Sequence, residues 1–267
     1  MKHGSLRLFS DSEYRQLSRN DWLAGLELHE QVESTNLLGL GCDPHVPTPH
    51  LIVAERQTGG RGRGANRWWG SDGCLMFSLV LDFPSLGIAE HRRAVMSLVT
   101  GLAMWRAVAP LVDPAQLKLK WPNDLYYQGR KLCGILLQAS AAGPAAQRVV
   151  VGVGVNVHNR FDEAPAEVRE RATSLSESGA SPGRLFDVLD VALETLRSEY
   201  EWLAQGRSDL ARRWSYRCLL RNKQVTLQVG GNCVSGRCLG VNDDGSLSVD
   251  DGAGERRFVS GEVQTVR

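Results

Sequence analysis

Lysine is scarce in this sequence. Only five of its 31 basic residues are lysines, at positions 2, 118, 120, 131 and 223, and arginine supplies the rest. Each lysine that remains therefore merits scrutiny, and three of the five fall between Lys118 and Lys131. Charge of one sign is lacking too. The 31 basic and 30 acidic residues leave a net charge of +1, so the chain carries no global field for nucleic acid or a membrane surface. No apolar run approaches the ~18 residues that a spanning helix requires. Met1-Lys2-His3-Gly4 leads into a polar stretch without a signal-peptide core, and a cytoplasmic location is the default expectation. Paired cysteines are absent as well. Cys42, Cys74, Cys133, Cys218, Cys233 and Cys238 include no Cys-x-x-Cys and none of the usual zinc-ligand spacings, and they read as reduced, mostly buried small hydrophobes.

What is present is an ordinary globular composition, 42% hydrophobic and 23% charged over 267 residues, enough for one large domain or a domain with a small companion. Tyr14, Leu17 and Trp22 give helical spacing to residues 11–24. Leu26–Val32 alternates as a strand, and Ser34-Thr35 offers N-cap chemistry for a helix running to about Gly41. Further strands are expected at 51–54, 74–81, 116–120, 132–139 and 149–157, with a hairpin turn near Gln128-Gly129. Helices are expected over 90–109, 184–204 and 208–214. Residues 223–266 read as four or five short strands with turns at Gly230-Gly231, Asn242–Gly245 and Asp251-Gly252, the pattern of a small β-barrel that could fold as an independent unit. The expected organisation is a leader at 1–27, a catalytic domain at 28–217 and the barrel at 218–267.

Three segments carry chemistry. Between Arg56 and Trp69 four glycines alternate with four arginines, Gly59-Gly60-Arg61-Gly62-Arg63-Gly64 among them. Glycines let a backbone approach a ligand and arginine forks match phosphate, so the loop suits an anionic or adenylated ligand; a flexible solvated turn is the plainer reading. No Gly-Lys-Ser/Thr closes a P-loop, and tryptophans follow Gly60-x-Gly62-x-x-Ala65 where a dinucleotide fold needs a helix. The second segment is Lys118-Leu119-Lys120-Trp121-Pro122-Asn123-Asp124, continued by Gly129-Arg130-Lys131-Leu132-Cys133-Gly134. It would aim a cation at one fixed spot beside a polar turn; a capped turn with solvated lysines is the alternative. In the third, Gly152-Val153-Gly154-Val155-Asn156-Val157, an asparagine interrupts an apolar strand and needs partners, either backbone or ligand.

Together these segments resemble the biotin protein ligases of the bacterial type. Ser34-Thr35-Asn36 resembles the family's biotin-contacting block, and Gln57 with Gly60-Arg61-Gly62-Arg63 its biotinyl-AMP loop. Lys120–Asp124 and Arg130–Gly134 resemble its most distinctive motifs, and Gly154–Val157 its adenylate-facing strand. The match runs from about residue 28 to 160 and is extended by the terminal barrel. It departs at Ala65-Asn66, where the family usually has another Gly-Arg.

The resemblance implies an α+β fold: a mixed β-sheet catalytic domain and an SH3-like C-terminal β-barrel. It implies that biotin is held by Ser34, Thr35, Asn36, Gln57, Arg61, Gly62, Arg63 and Lys131. ATP, arriving with Mg²⁺, and the adenylate would meet Arg63, Trp68, Asn123, Asp124 and Asn156. Lys131 and Arg63 would stabilise the charge that gathers as the biotin carboxylate attacks the α-phosphate. The acceptor would be a lysine of a biotin carboxyl carrier protein, the enzyme a monomer or a sheet-edge homodimer, and the Arg56–Trp69 loop mobile until the adenylate orders it. A lipoate or octanoate ligase shares the fold but lacks the Lys-Trp-Pro-Asn-Asp block. A DNA-binding repressor is not expected, because 33 residues before Ser34 are too few for a winged helix. A scaffold would not need Lys131 and the arginine loop together.

Overall fold

The computed structural model describes residues 9–139 and 147–266; the Met1–Gly4 opening of the leader lies outside them. Ser10 caps α1 (Asp11–Ser18) in a reciprocal capping box with Glu13. This helix is shorter than expected. Its C-cap, Arg19, is followed by a turn in which the Asn20 side chain accepts from the Trp22 N–H, so the backbone leaves helical geometry before Trp22.

Then come β1 (Gly25–Val32), α2 (Thr35–Gly41), β2 (His50–Gln57), β3 (Cys74–Asp82) and a single helical turn, α3 (Phe83–Leu86). A 3-10 turn over 90–95 leads into α4 (Met96–Val108), where one regular helix was expected over the whole stretch. β4 (Leu117–Lys120), β5 (Asp124–Tyr127), β6 (Arg130–Ala139) and β7 (Arg148–Asn156) follow, then α5 (Ala166–Arg171), α6 (Leu185–Ala204) and α7 (Leu210–Ser215). The hairpin between β5 and β6 turns at Gln128-Gly129, both at positive φ (48° and 78°), the pairing that a type I′ turn requires.

Seven strands form one mixed sheet in the order β1-β2-β3-β7-β6-β5-β4. β1 and β2 run parallel, joined across α2, and the other pairs are antiparallel. One face carries α4 and α6, and its apolar row includes Leu75, Phe77, Leu79, Val151, Val153 and Val155. The helical run 90–111 is long and apolar enough to cross a membrane by length and composition. It serves instead as the core helix. Met96, Val99, Ala103, Met104 and Val108 are fully buried, and the Thr100 hydroxyl lies 2.9 Å from that of Tyr200 on α6.

The opposite face of the sheet belongs to α2 and the alternate residues of the central strands. Cys74, Met76, Ser78 and Val80 of β3 stand beside Asn156, Gly154, Gly152 and Val150 of β7. Small and polar groups interrupt this row, and there the candidate site lies.

The remaining strands, β8 (Gln224–Val229), β9 (Asn232–Val241), β10 (Leu247–Asp250), β11 (Glu255–Phe258) and β12 (Glu262–Val266), form a five-stranded antiparallel sheet ordered β11-β10-β9-β8-β12. This unit is less independent than its sequence suggests. Val225, Leu227, Cys238, Leu247 and Phe258 belong to the same continuous apolar cluster as the residues under α4 and α6. Buried Trp121 donates through Nε1 to the Gly245 carbonyl at 3.0 Å, and a side chain at Gly245 would strike Val95 and Leu98.

Candidate active site

The first half of the site is built at the N-terminus of α2. Ser34 occupies the N-cap but makes no capping hydrogen bond with its side chain. Gln57, at the end of β2, does that work: its Oε1 accepts from the Thr35 backbone N–H at 2.8 Å, while its Nε2 points at Met76 Sδ, 3.1 Å away. The Ser78 hydroxyl lies 2.7 Å from both Thr35 Oγ1 and Asn36 Oδ1. Asn36 donates to the Leu136 carbonyl at 3.1 Å and to Gln138 Oε1 at 2.9 Å. A Cβ on Gly152 would sit 2.0 Å from Asn36 Oδ1, so the asparagine rests directly on bare backbone. Ser34, Thr35 and Asn36 are buried, and the Asn36 amide is spent on holding the helix to the sheet.

The second half lies two residues further along the same strands. The Trp68 indole is laid against Gly134 and Gly154, paired neighbours on β6 and β7; Cβ atoms there would come within 2.9 and 2.5 Å of the ring. Its Nε1 is buried with no conventional hydrogen-bond partner, beside the Cys74 thiol, which burial pushes up to about 12. Lys131 Nζ stands 5.8 Å from the indole centroid and pairs with Asp124 Oδ1 at 2.7 Å. The pair is partly buried, with the lysine side chain 32% and the aspartate 17% exposed, so this cation is held in place. Its backbone carbonyl receives the Thr173 N–H at 2.9 Å and the Asn156 amide at 3.4 Å. Nearby, burial pushes the Lys120 ammonium below its ordinary value against the pull of Asp124, and Lys131 adds repulsion.

The structure thus brings together Thr35, Asn36 and Gln57 in one group and Trp68, Asp124, Lys131 and Asn156 in the next. Two asparagines turn out to be builders. Asn123 donates to the Ile135 carbonyl at 2.6 Å and fixes the turn before β5. Asn156 is buried, accepts from Asn159 Nδ2 at 3.1 Å, and spends its amide on the Lys131 carbonyl. The arginines stand apart from both groups. Arg61 faces Glu33 at 3.7 Å, and Arg63 donates to the carbonyl of Gly261, just before β12, at 3.1 Å. The Gly62 N–H is taken by the Asn66 carbonyl at 2.8 Å. Sequence reasoning missed Ser78, Met76 and Gln138. Ser78 alone left a signal, as a hydroxyl interrupting an otherwise apolar strand.

The described residues contain no cage of three acidic side chains that would hold Mg²⁺; Asp124, already paired to Lys131, offers one carboxylate.

Comparison with known proteins agrees with this geometry. Residues 29–156 match the model of the biotin/lipoate A/B protein ligase family, and residues 222–265 that of the biotin protein ligase C-terminal domain. A biotin–[acetyl-CoA-carboxylase] ligase of Mycobacterium tuberculosis is 33% identical over 220 residues, covering 81% of this chain and 79% of the relative. The chain belongs to the biotin protein ligase family. It is a ligase. The counterpart from Paracoccus denitrificans is 29% identical over 238 residues, 87% of this chain and 97% of that one. The structure of the Aquifex aeolicus biotin protein ligase, in complex with biotin and ATP, superposes with a TM-score of 0.78 at 28% identity, covering 91% of this chain and 98% of the other. Both the mixed sheet and the C-terminal sheet fall within that family's architecture.

Proposed function

We propose that this ligase forms biotinyl-AMP from biotin and MgATP and transfers biotin to a lysine of a biotin carboxyl carrier protein. The observation that carries the reading is Lys131, paired with Asp124 at 2.7 Å and set beside Trp68 and the bare glycines of β6 and β7, next to the Thr35–Gln57 cradle. In this reading biotin lies between the Asn36 side chain, which covers Gly152, and the Trp68 indole, which covers Gly154. Its ureido ring meets Ser34, Thr35 and Gln57, and Asn36 and Ser78 hold those groups in place. The carboxylate points toward Lys131, whose ammonium stabilises the negative charge that develops on the α-phosphate and partly neutralises two anions that would otherwise repel. Asp124 orients that ammonium and adds an oxygen for Mg²⁺. Trp68, half-buried beside Lys131, stacks on the adenine of the adenylate. Arg61 and Arg63 exchange Glu33 and the Gly261 carbonyl for the phosphate once the anion is present, and the loop then excludes water from the mixed anhydride.

The free thiols found among the described residues suit action in the reducing cytoplasm. A sheet-edge homodimer would use β1, because the outer edge of β4 is occupied by the chain near Arg217–Leu219, bonded to Leu119 on both sides. Purified protein with biotin, MgATP and an apo carboxyl-carrier domain should release pyrophosphate and biotinylate the carrier. Release without transfer would remove the acceptor assignment, and lipoate replacing biotin would remove the substrate assignment.

A further inference from the structure

At the other end of α2, away from Thr35 and Gln57, three side chains converge that the ligase chemistry does not use, with a fourth, His29, beside them. Glu27 and His29 project from β1 on the α2 face, Cys42 follows the last turn of α2, and His50 opens β2. The Glu27 carboxylate lies 2.8 Å from His50 Nε2 with one oxygen and 3.0 Å from His29 Nε2 with the other. The ligand atoms of Glu27, Cys42 and His50 are all within 4.8 Å of one another. A tetrahedral zinc ion with bonds of about 2.0–2.3 Å separates its ligands by roughly 3.3–3.8 Å, so side-chain adjustment alone would close this set on an ion.

We propose that Glu27, Cys42 and His50 form a binding site for a borderline-soft divalent transition ion of the zinc type, with His29 holding the second oxygen of the Glu27 carboxylate. The site is gathered by topology. The parallel β1–β2 pair sets residue 25 beside residue 50, and α2, which crosses between the strands, delivers Cys42 to their start. No short-range cysteine motif is needed, which is why the spacing in the sequence hides it. The donor set selects the metal class. One thiolate, one imidazole and one carboxylate, with a water in the fourth position, suit zinc, cobalt or nickel, while magnesium and calcium take oxygen ligands. Two of the three donors, Glu27 and His50, sit on strands of the sheet, and His50 is buried, so its imidazole is fixed before an ion arrives. Without metal the thiol keeps its proton, held by burial and by the Glu27 charge against the nearby Arg148. Capture forms the metal–sulfur bond and releases that proton to solvent.

Occupancy would clip the C-terminal end of α2 to β1 and β2. The N-terminal end of the same helix carries Ser34, Thr35 and Asn36, so the ion would steady the proposed biotin cradle from behind. The test uses the full chain with exposed Cys233 changed to serine, stripped with chelator and titrated with Co²⁺. Stoichiometric binding is expected, with an intense thiolate-to-cobalt band in the near ultraviolet and the visible bands of tetrahedral cobalt. Zinc should displace both and raise the melting midpoint. Cys42→Ser, at a partly exposed position, should remove the thiolate band and the zinc-dependent rise, and Glu27→Gln should weaken both. Cobalt binding with no thiolate band, or binding and melting unchanged in both variants, would overturn the site.

Discussion

At the scale of single residues, Lys131 and the glycines beneath Trp68 make separable claims. Lys131→Ala removes the fixed cation and leaves Asp124 partly buried without its partner. Adenylate synthesis should fall on the order of 10²–10³-fold, as when one charge-stabilising donor is lost, with the circular dichroism spectrum retained. Pyrophosphate release at near the parent rate would remove Lys131 from the chemistry. Gly154→Ala places a methyl 2.5 Å from the indole. It should cost about 1–3 kcal/mol by overpacking and slow adenylation, whereas Gly154→Ala combined with Trp68→Ala should recover much of the stability; strictly additive losses would mean the ring is free to move aside. Lys120 makes a third test. Its folded pKa is held below the ordinary 10.5, so in the window between the two values the unfolded chain binds more protons and stability rises with pH. Lys120→Met should abolish that alkaline gain in the urea midpoint and be the more stable protein below the window. Of these groups Lys131 was legible in the sequence, because so few lysines compete with it. The roles of Asn36, Asn123 and Asn156 were not. An asparagine in an apolar strand announces that it has partners, but not whether they are ligand or backbone, and the Gln138 that Asn36 uses lies on a strand far along the chain.

The elements were largely readable from pattern, since the nearly unbroken apolar runs of β3 and β7, buried on both faces, and the apolar face of α6 follow directly from what each buries. Their junctions were less so. The Ser34 position suggested a self-capped helix, yet the cap of α2 comes from Gln57, on a strand paired in parallel with β1, and nothing local foretells that. Gln57→Ala should therefore do two things at once. It should lower stability by about 0.5–2 kcal/mol, the usual value of a lost cap, and weaken biotin binding by loosening the Ser34–Asn36 turn. Calorimetric titration against melting temperature separates them; a stability loss with unchanged biotin affinity would leave Gln57 a cap and nothing more. The arginine loop is the other junction. Its glycines predicted freedom, while its folded form is closed by Gly62–Asn66 and tied to Gly261 through Arg63. Arg63→Gly should speed dissociation of biotinyl-AMP more than that of biotin and raise labelling of bystander proteins. Equal effects on both ligands would show that Arg63 serves only the contact with Gly261.

For the whole molecule, two units marked by composition share one core. Removal of residues after Cys218 would expose Trp121 and the α4 end that Gly245 covers, so the truncated chain should lose its cooperative melting transition as well as acceptor labelling. A sharp transition in residues 1–218 would show that the catalytic sheet closes its own core.

The order of strands has a further bearing, on the way the protein comes to be folded at all. The middle of the sheet is the β3–β7 pair, in which Cys74 meets Asn156 and Asp82 meets Arg148. A ribosome must deliver β4, β5 and β6 before the strand that seats β3 on its inner side exists, and the C-terminal sheet before the shared core is closed. The β5–β6 hairpin, short in loop and fixed by its turn, can form as soon as it emerges. The strand from Cys74 to Leu81, buried along its whole length in the finished protein, has to wait. Pairings this distant in sequence make for slow acquisition of structure and a long interval in which a sticky segment is unprotected. Yield in the cell should therefore depend on chaperone supply and growth temperature more steeply than equilibrium stability alone would dictate.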